Sequence, residues 1–119
     1  MFLFTFRSRI NPKSKEAKRH SDTGGAYVNC WINVKDFEAA EKLAKLLIRE
    51  SGWIPEIKTG ESKVQKKSLK KKSDKQYYAE AIQYGYSLVF HLWPKDAADA
   101  EADYESKEKE KGPGIQTGV

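Results

Sequence analysis

The chain has 119 residues and a formal net charge of +5, with 33% of its residues charged. That length can bury one core but not two, and no apolar run approaches the span of a bilayer, so no membrane partner is expected. Cys30 is the only cysteine, which excludes an internal disulfide and makes a cytoplasmic setting the expectation. Met1 to Phe6, followed directly by Arg7, lacks the basic start and long apolar run of a signal peptide.

In chain order, Phe2, Phe4 and Phe6 alternate with Leu3, Thr5 and Arg7, the pattern of a strand apolar enough to be central. The stretch from Gly24 to Lys58 then reads as strand, helix and strand. From Ala26 to Val34, the residues Ala26, Val28, Cys30, Ile32 and Val34 occupy one side, and Tyr27, Asn29, Trp31 and Asn33 the other. Asp36 suits an N-cap, because its carboxylate can accept a hydrogen bond from a free N–H of the first turn. Phe37, Ala40, Leu43, Ala44, Leu47 and Ile48 follow at helical spacing as one apolar stripe. Gly52 supplies a left-handed stop, and Trp53 to Lys58 resume as a strand whose Pro55, lacking an N–H, belongs at a sheet edge.

Thr59 to Ser73 is either a long loop or an added edge strand over 61–67. Ser73 or Asp74 can cap a second helix through Tyr84 carrying Tyr78, Ala81 and Ile82, stopped by Gly85, and Tyr86 to Trp93 read as a last strand closed by Pro94. The order β-β-α-β-α-β predicts an α+β fold, a ferredoxin-like two-layer sandwich. Its four-stranded, mainly antiparallel sheet carries two helices on one face. The N-terminal strand lies between the two crossover strands and the last strand outside Ala26 to Val34. This domain covers 1–94. The tail, 95–119, is charged, lacks an apolar stripe, and is expected to be disordered or loosely helical.

Charge is uneven. Arg7 to Arg19 holds six basic residues against Glu16, Lys63 to Lys75 seven lysines against Asp74, and the tail after Pro94 four lysines against seven acids. Lys66, Lys67, Lys70, Lys71 and Lys72 could neutralise phosphates. A solvated loop that resists edge-to-edge sheet pairing explains them as well.

With Val28, Cys30 and Ile32 under the helices, Tyr27, Asn29, Trp31 and Asn33 would line an open sheet face, joined by Arg7 and by His91 and Trp93 or their neighbours. Such a face suits a homodimer contact or protein partner first, a small ligand or stacked base second, and coverage by the chain's own tail otherwise. The basic-glycine-aromatic signature of RNA recognition motifs is absent. Single-stranded nucleic acid bound without sequence choice is therefore the second expectation.

Catalysis and cofactors are not expected. Cys30 and His91 should point to opposite sides of the sheet, leaving Cys30 a buried thiol. Asp22-Thr23-Gly24 matches the aspartic-protease tripeptide but lacks an apolar strand before it, and a turn through Gly24-Gly25 explains it more simply. Cys30, His20 and His91 show no paired metal-ligand spacing. The segments Gly24 to Ile32 (GGAYVNCWI), Gly52-Trp53 and Val89 to Pro94 (VFHLWP) together resemble a group of small bacterial proteins of unknown function. That resemblance covers the domain but not the tail, implies a bacterial origin and a shared fold, and transfers no site.

Overall fold

The computed structural model describes residues 1–95, 108–110 and 115–118. The elements are β1 (Phe2–Ile10), α1 (Glu16–Arg19), β2 (Thr23–Ile32), α2 (Phe37–Glu50), β3 (Trp53–Lys63), α3 (Lys72–Tyr84), β4 (Tyr86–Pro94), β5 (Glu108–Glu110) and β6 (Ile115–Gly118). The sheet order is β3-β1-β2-β4-β6-β5.

The first four strands pair antiparallel throughout. β1 lies between β2 and β3, with Phe4 opposite Cys30 on one side and Glu61 on the other, and β4 pairs along β2 from Ile32–Tyr86 to Thr23–Pro94. Among these four strands this is the arrangement expected from the element order, although β4 is not outermost, because β6 pairs beyond it. Asp36 caps α2 by accepting a hydrogen bond from the Ala39 N–H at 2.8 Å. Gly52 and Gly85 follow their helices at φ +91° and +92°, where a side chain would be strained. Pro55 sits on β3, an edge strand, where its missing N–H leaves no ladder bond broken.

The long connection contains no separate strand over 61–67. β3 instead runs on to Lys63, because two irregularities let it follow β1 to its start. Thr59 and Glu56 are the extra residues. Thr59 donates to the Thr5 carbonyl at 3.3 Å, and Glu56 pairs with Arg9 at 3.3 Å. A short turn, Lys66–Ser68, then leads into α3. α3 begins after Lys71 without a side-chain cap, two to three residues before the expected Ser73 or Asp74 start.

The placement of α3 corrects the two-layer expectation. On one face, Phe4, Phe6, Val28, Cys30, Ile32, Leu88 and Phe90 pack against Ala40, Ala44 and Ile48 of α2. On the other, Trp31 and Val89 pack against Tyr77 and Ala81 of α3, with Met1, Leu3, Val64, Leu69 and Tyr78 around them. The two helices thus cover opposite faces, and the sheet is the middle layer. The cause is a second apolar strip. Leu3, Trp31 and Val89 all project away from α2, and an indole left in water forfeits a large transfer free energy. α3 turns Tyr77 and Ala81 inward, so Ile82, expected in the stripe, is 54% exposed. Ser87 fastens the layer from below by donating to Glu80 at 3.0 Å.

Within the tail, two short strands are described. β6 runs parallel to β4, from Leu88–Ile115 to His91–Gly118, and β5 pairs antiparallel to β6. The other tail positions lie outside the described residues. Among the described residues no helix is long and apolar enough to cross a membrane.

Because Trp31 is only 3% exposed and anchors the second layer, Trp31→Ala should destabilise the domain by about 3–5 kcal/mol in denaturant unfolding. Trp31→Phe should cost less, because it also removes an indole N–H that is buried without a hydrogen-bond partner.

Candidate functional site: the half of the second sheet face beyond α3

α3 divides the face it covers. Toward the start of β1, Leu3, Trp31 and Val89 lie beneath it. Toward the other end, the rows of the sheet carry Thr5 beside Asn29, then Ile57, Arg7, Tyr27 and His91 side by side, then Gly25 beside Trp93. The expected site residues therefore separate. Arg7, Tyr27 and Asn29 are brought together. Trp31 is withdrawn into the α3 layer, and Asn33 lies past the end of β2, where its N–H donates to the Gly85 carbonyl at 2.9 Å.

Trp93 is the centre of the group. Its indole lies on the backbone of Gly24 and Gly25, and a Cβ on either glycine would come within 2.9 Å of indole atoms. The glycine pair, read from the sequence as a turn, is thus part of β2 and serves as the seat of an aromatic ring. A glycine inside a strand signals such close approach. With nothing rising from Gly25, the indole leans across β2 until the Arg7 guanidinium lies 5.3 Å from its ring centre. Tyr27 sits 5.2 Å away at a 51° tilt. A guanidinium over an indole gains about 0.5–1 kcal/mol when exposed.

Beside this aromatic group, the Thr5 hydroxyl donates to Asn29 Oδ1 at 2.8 Å. The Asn29 amide nitrogen lies 3.5 Å from His91 Nε2. Ile57, at the edge of the group, is 56% exposed. A cavity of about 220 Å³ lies at the Trp93 end of the group, lined by Asp22, Thr23, Leu92, Trp93 and Pro94.

Cys30 pairs with Leu88 and faces α2, whereas His91 pairs with Tyr27 on the opposite face, as parity predicts. Cys30 is wholly buried, and desolvation pushes its thiol far above the ordinary range, so no thiolate forms near neutral pH. Asp22 stands in an exposed turn, with its carbonyl accepting from the Lys95 N–H at 2.8 Å. Among the described residues no group of three His, Cys, Asp or Glu side chains is placed to hold a metal ion. Lys66, Lys67, Lys70, Lys71 and Lys72 lie elsewhere, exposed on the connection into α3.

No family model, curated protein or solved structure matches the chain. The site therefore rests on its geometry.

Two outcomes follow from this geometry. Gly25→Ala should displace the indole, lowering stability by about 1–3 kcal/mol and shifting tryptophan fluorescence, while Gly85→Ala should leave the emission unchanged. Cys30 should react with a thiol reagent only at the rate of global unfolding, so rapid labelling of native protein would contradict its placement.

Proposed function

We propose that this protein is a non-catalytic binding module whose contact surface is the sheet area left open by α3, and that the first partner to test is a second copy of the same chain. The observation supporting the reading is the row Ile57, Arg7 and Tyr27, set against Trp93. Arginine, tyrosine and tryptophan are the residue types that dominate contact energetics. Here the guanidinium is already held by a ring, so less side-chain freedom is lost on binding. A more than half-exposed isoleucine in the same row supplies apolar area for a facing aromatic. A two-fold axis through this surface would set the exposed Ile57 of each chain against the Arg7 and Tyr27 of its copy, and two-fold dimers are the commonest form of soluble homo-oligomer. A cytoplasmic setting belongs to the same proposal, since a free thiol suits a reducing compartment.

Light scattering on the purified chain should give twice its 13.6 kDa mass. Ile57→Asp and Arg7→Ala should each return the mass to that of one chain with circular dichroism unchanged. A wild-type mass of one chain across the micromolar range would remove self-association as the function of this surface.

A further inference from the structure

The lysines between β3 and α3 form a second surface that the sheet contact does not use. Seven lie within Lys63 to Lys75, at positions 63, 66, 67, 70, 71, 72 and 75, with Asp74 the only acid among them. All seven are exposed, and among the described residues none is in a salt bridge. In the other basic segment Lys13, Lys15 and Lys18 are likewise exposed and outside any salt bridge among the described residues, but its three arginines are engaged. Arg7 lies on Trp93, Arg9 pairs with Glu56 and Arg19 with Glu16.

The connection is also fixed in place. The Val64 N–H donates to the Met1 carbonyl at 2.9 Å, and Val64 and Leu69 both pack into the Trp31 layer. Between these two anchors, the Ser68 N–H donates to the Gln65 carbonyl at 3.0 Å and the Leu69 N–H to the Lys66 carbonyl at 3.2 Å. The apolar residues thus point inward and the lysines outward on a hydrogen-bonded turn. That turn continues into Lys72 and Lys75 on the first turn of α3.

From this arrangement we propose that the β3–α3 connection, with the first turn of α3, binds the phosphate backbone of nucleic acid without reading its sequence. Lysine is a compact charge with no planar fork, which suits phosphates and gives little base selectivity. Unpaired lysines on a prefixed turn neutralise phosphates and release counterions without first breaking internal ion pairs. An anionic membrane is the less fitting polyanion. Between residues 63 and 75 no large apolar side chain is exposed for insertion, and among the described residues no membrane-spanning helix adjoins the lysines, whereas polybasic lipid sites combine charge with such an apolar anchor.

The test uses the full chain with fluorescent oligo(dT), a fluorescent duplex, and phosphatidylserine vesicles. Binding to either nucleic acid should weaken linearly in log–log form between about 50 and 200 mM salt. The triple substitution Lys70→Gln, Lys71→Gln, Lys72→Gln should weaken it at least about tenfold at the lower salt and flatten the slope by about two on oligo(dT) and nearly three on the duplex. The matched Lys→Arg triple should retain binding. Lys13→Gln, Lys15→Gln, Lys18→Gln removes the same charge from the other basic segment and should change it far less. Three results would each overturn the proposal: no binding at low salt, equal losses from the two Gln triples, or vesicle binding stronger than nucleic-acid binding.

Discussion

Both helices are held by one strand that is buried on its two sides. β2 presents Val28, Cys30 and Ile32 to α2 and, one residue out of phase, Trp31 to α3. Because side chains alternate along a strand, these demands cannot be relaxed separately. A one-residue slip against β1 would place the indole among the α2 contacts and drive Cys30 and Ile32 toward Tyr77. The penalty on both faces fixes the register. β4 shares the constraint, with Leu88 and Phe90 in the first layer and Val89 in the second. Phe4 and Phe6 from β1 close the first layer, and the ring of Phe37 lies 5.4 Å from Phe2 and 5.5 Å from Phe4 at its rim.

The surface beyond α3 is a consequence of where that second layer stops. α3 is thirteen residues long, about 20 Å at 1.5 Å per residue, and its buried side chains reach Trp31 and Val89. Below it the same face changes character, to Thr5, Asn29, Arg7 and Tyr27. Gly24 and Gly25 remove two side chains there, and Trp93 fills the vacated space instead of standing upright. The ring is thereby only 8% exposed without a helix above it among the described residues. It lends a firm base to an arginine that would otherwise sample many rotamers.

The Asp36 cap and the opposed directions of Cys30 and His91 were legible because each depends on local periodicity or on a single residue's backbone chemistry, and the β3-β1-β2-β4 order because the element sequence allows a simple assembly. The expected Ser73 or Asp74 cap of α3 was not met, since that helix starts after Lys71 without a side-chain cap. The side of α3 was not legible, because two strands must be read together. Leu3, Trp31 and Val89 are unremarkable within their own strands and become an apolar strip only when the pairings set Leu3 opposite Trp31 and Val89 diagonal to it. One signal was present within a single strand. Tyr86 to Trp93 is apolar on both parities, with Leu88, Val89, Phe90 and Leu92 in near succession, and such a run marks a strand covered on both faces rather than one. The same run argues against an outermost position, and β4 is paired on its far side by β6. The role of Gly24 and Gly25 was hidden for a different reason. Paired glycines mark a turn or a close approach equally well, and only the register opposite Trp93 separates the two.

The exposed edge bears on how the sheet can make contacts. Bare strand edges pair readily with other chains through their backbones. On β3 that route is obstructed by Pro55, which has no N–H to offer, and by the irregularities at Glu56 and Thr59, which break the even spacing of free donors and acceptors. Lys58, held by Glu41 and Glu61 at 2.5 and 2.6 Å, adds a charged cluster along the same strand. Backbone pairing at this edge is disfavoured by three independent features, so a contact proposed for this molecule has to rest on side chains of the faces and connections. Ile57 is the instructive residue. It belongs to this obstructed strand, yet it is exposed on the face beside Arg7, where the irregularities on either side leave its side chain available to a partner that the backbone cannot pair.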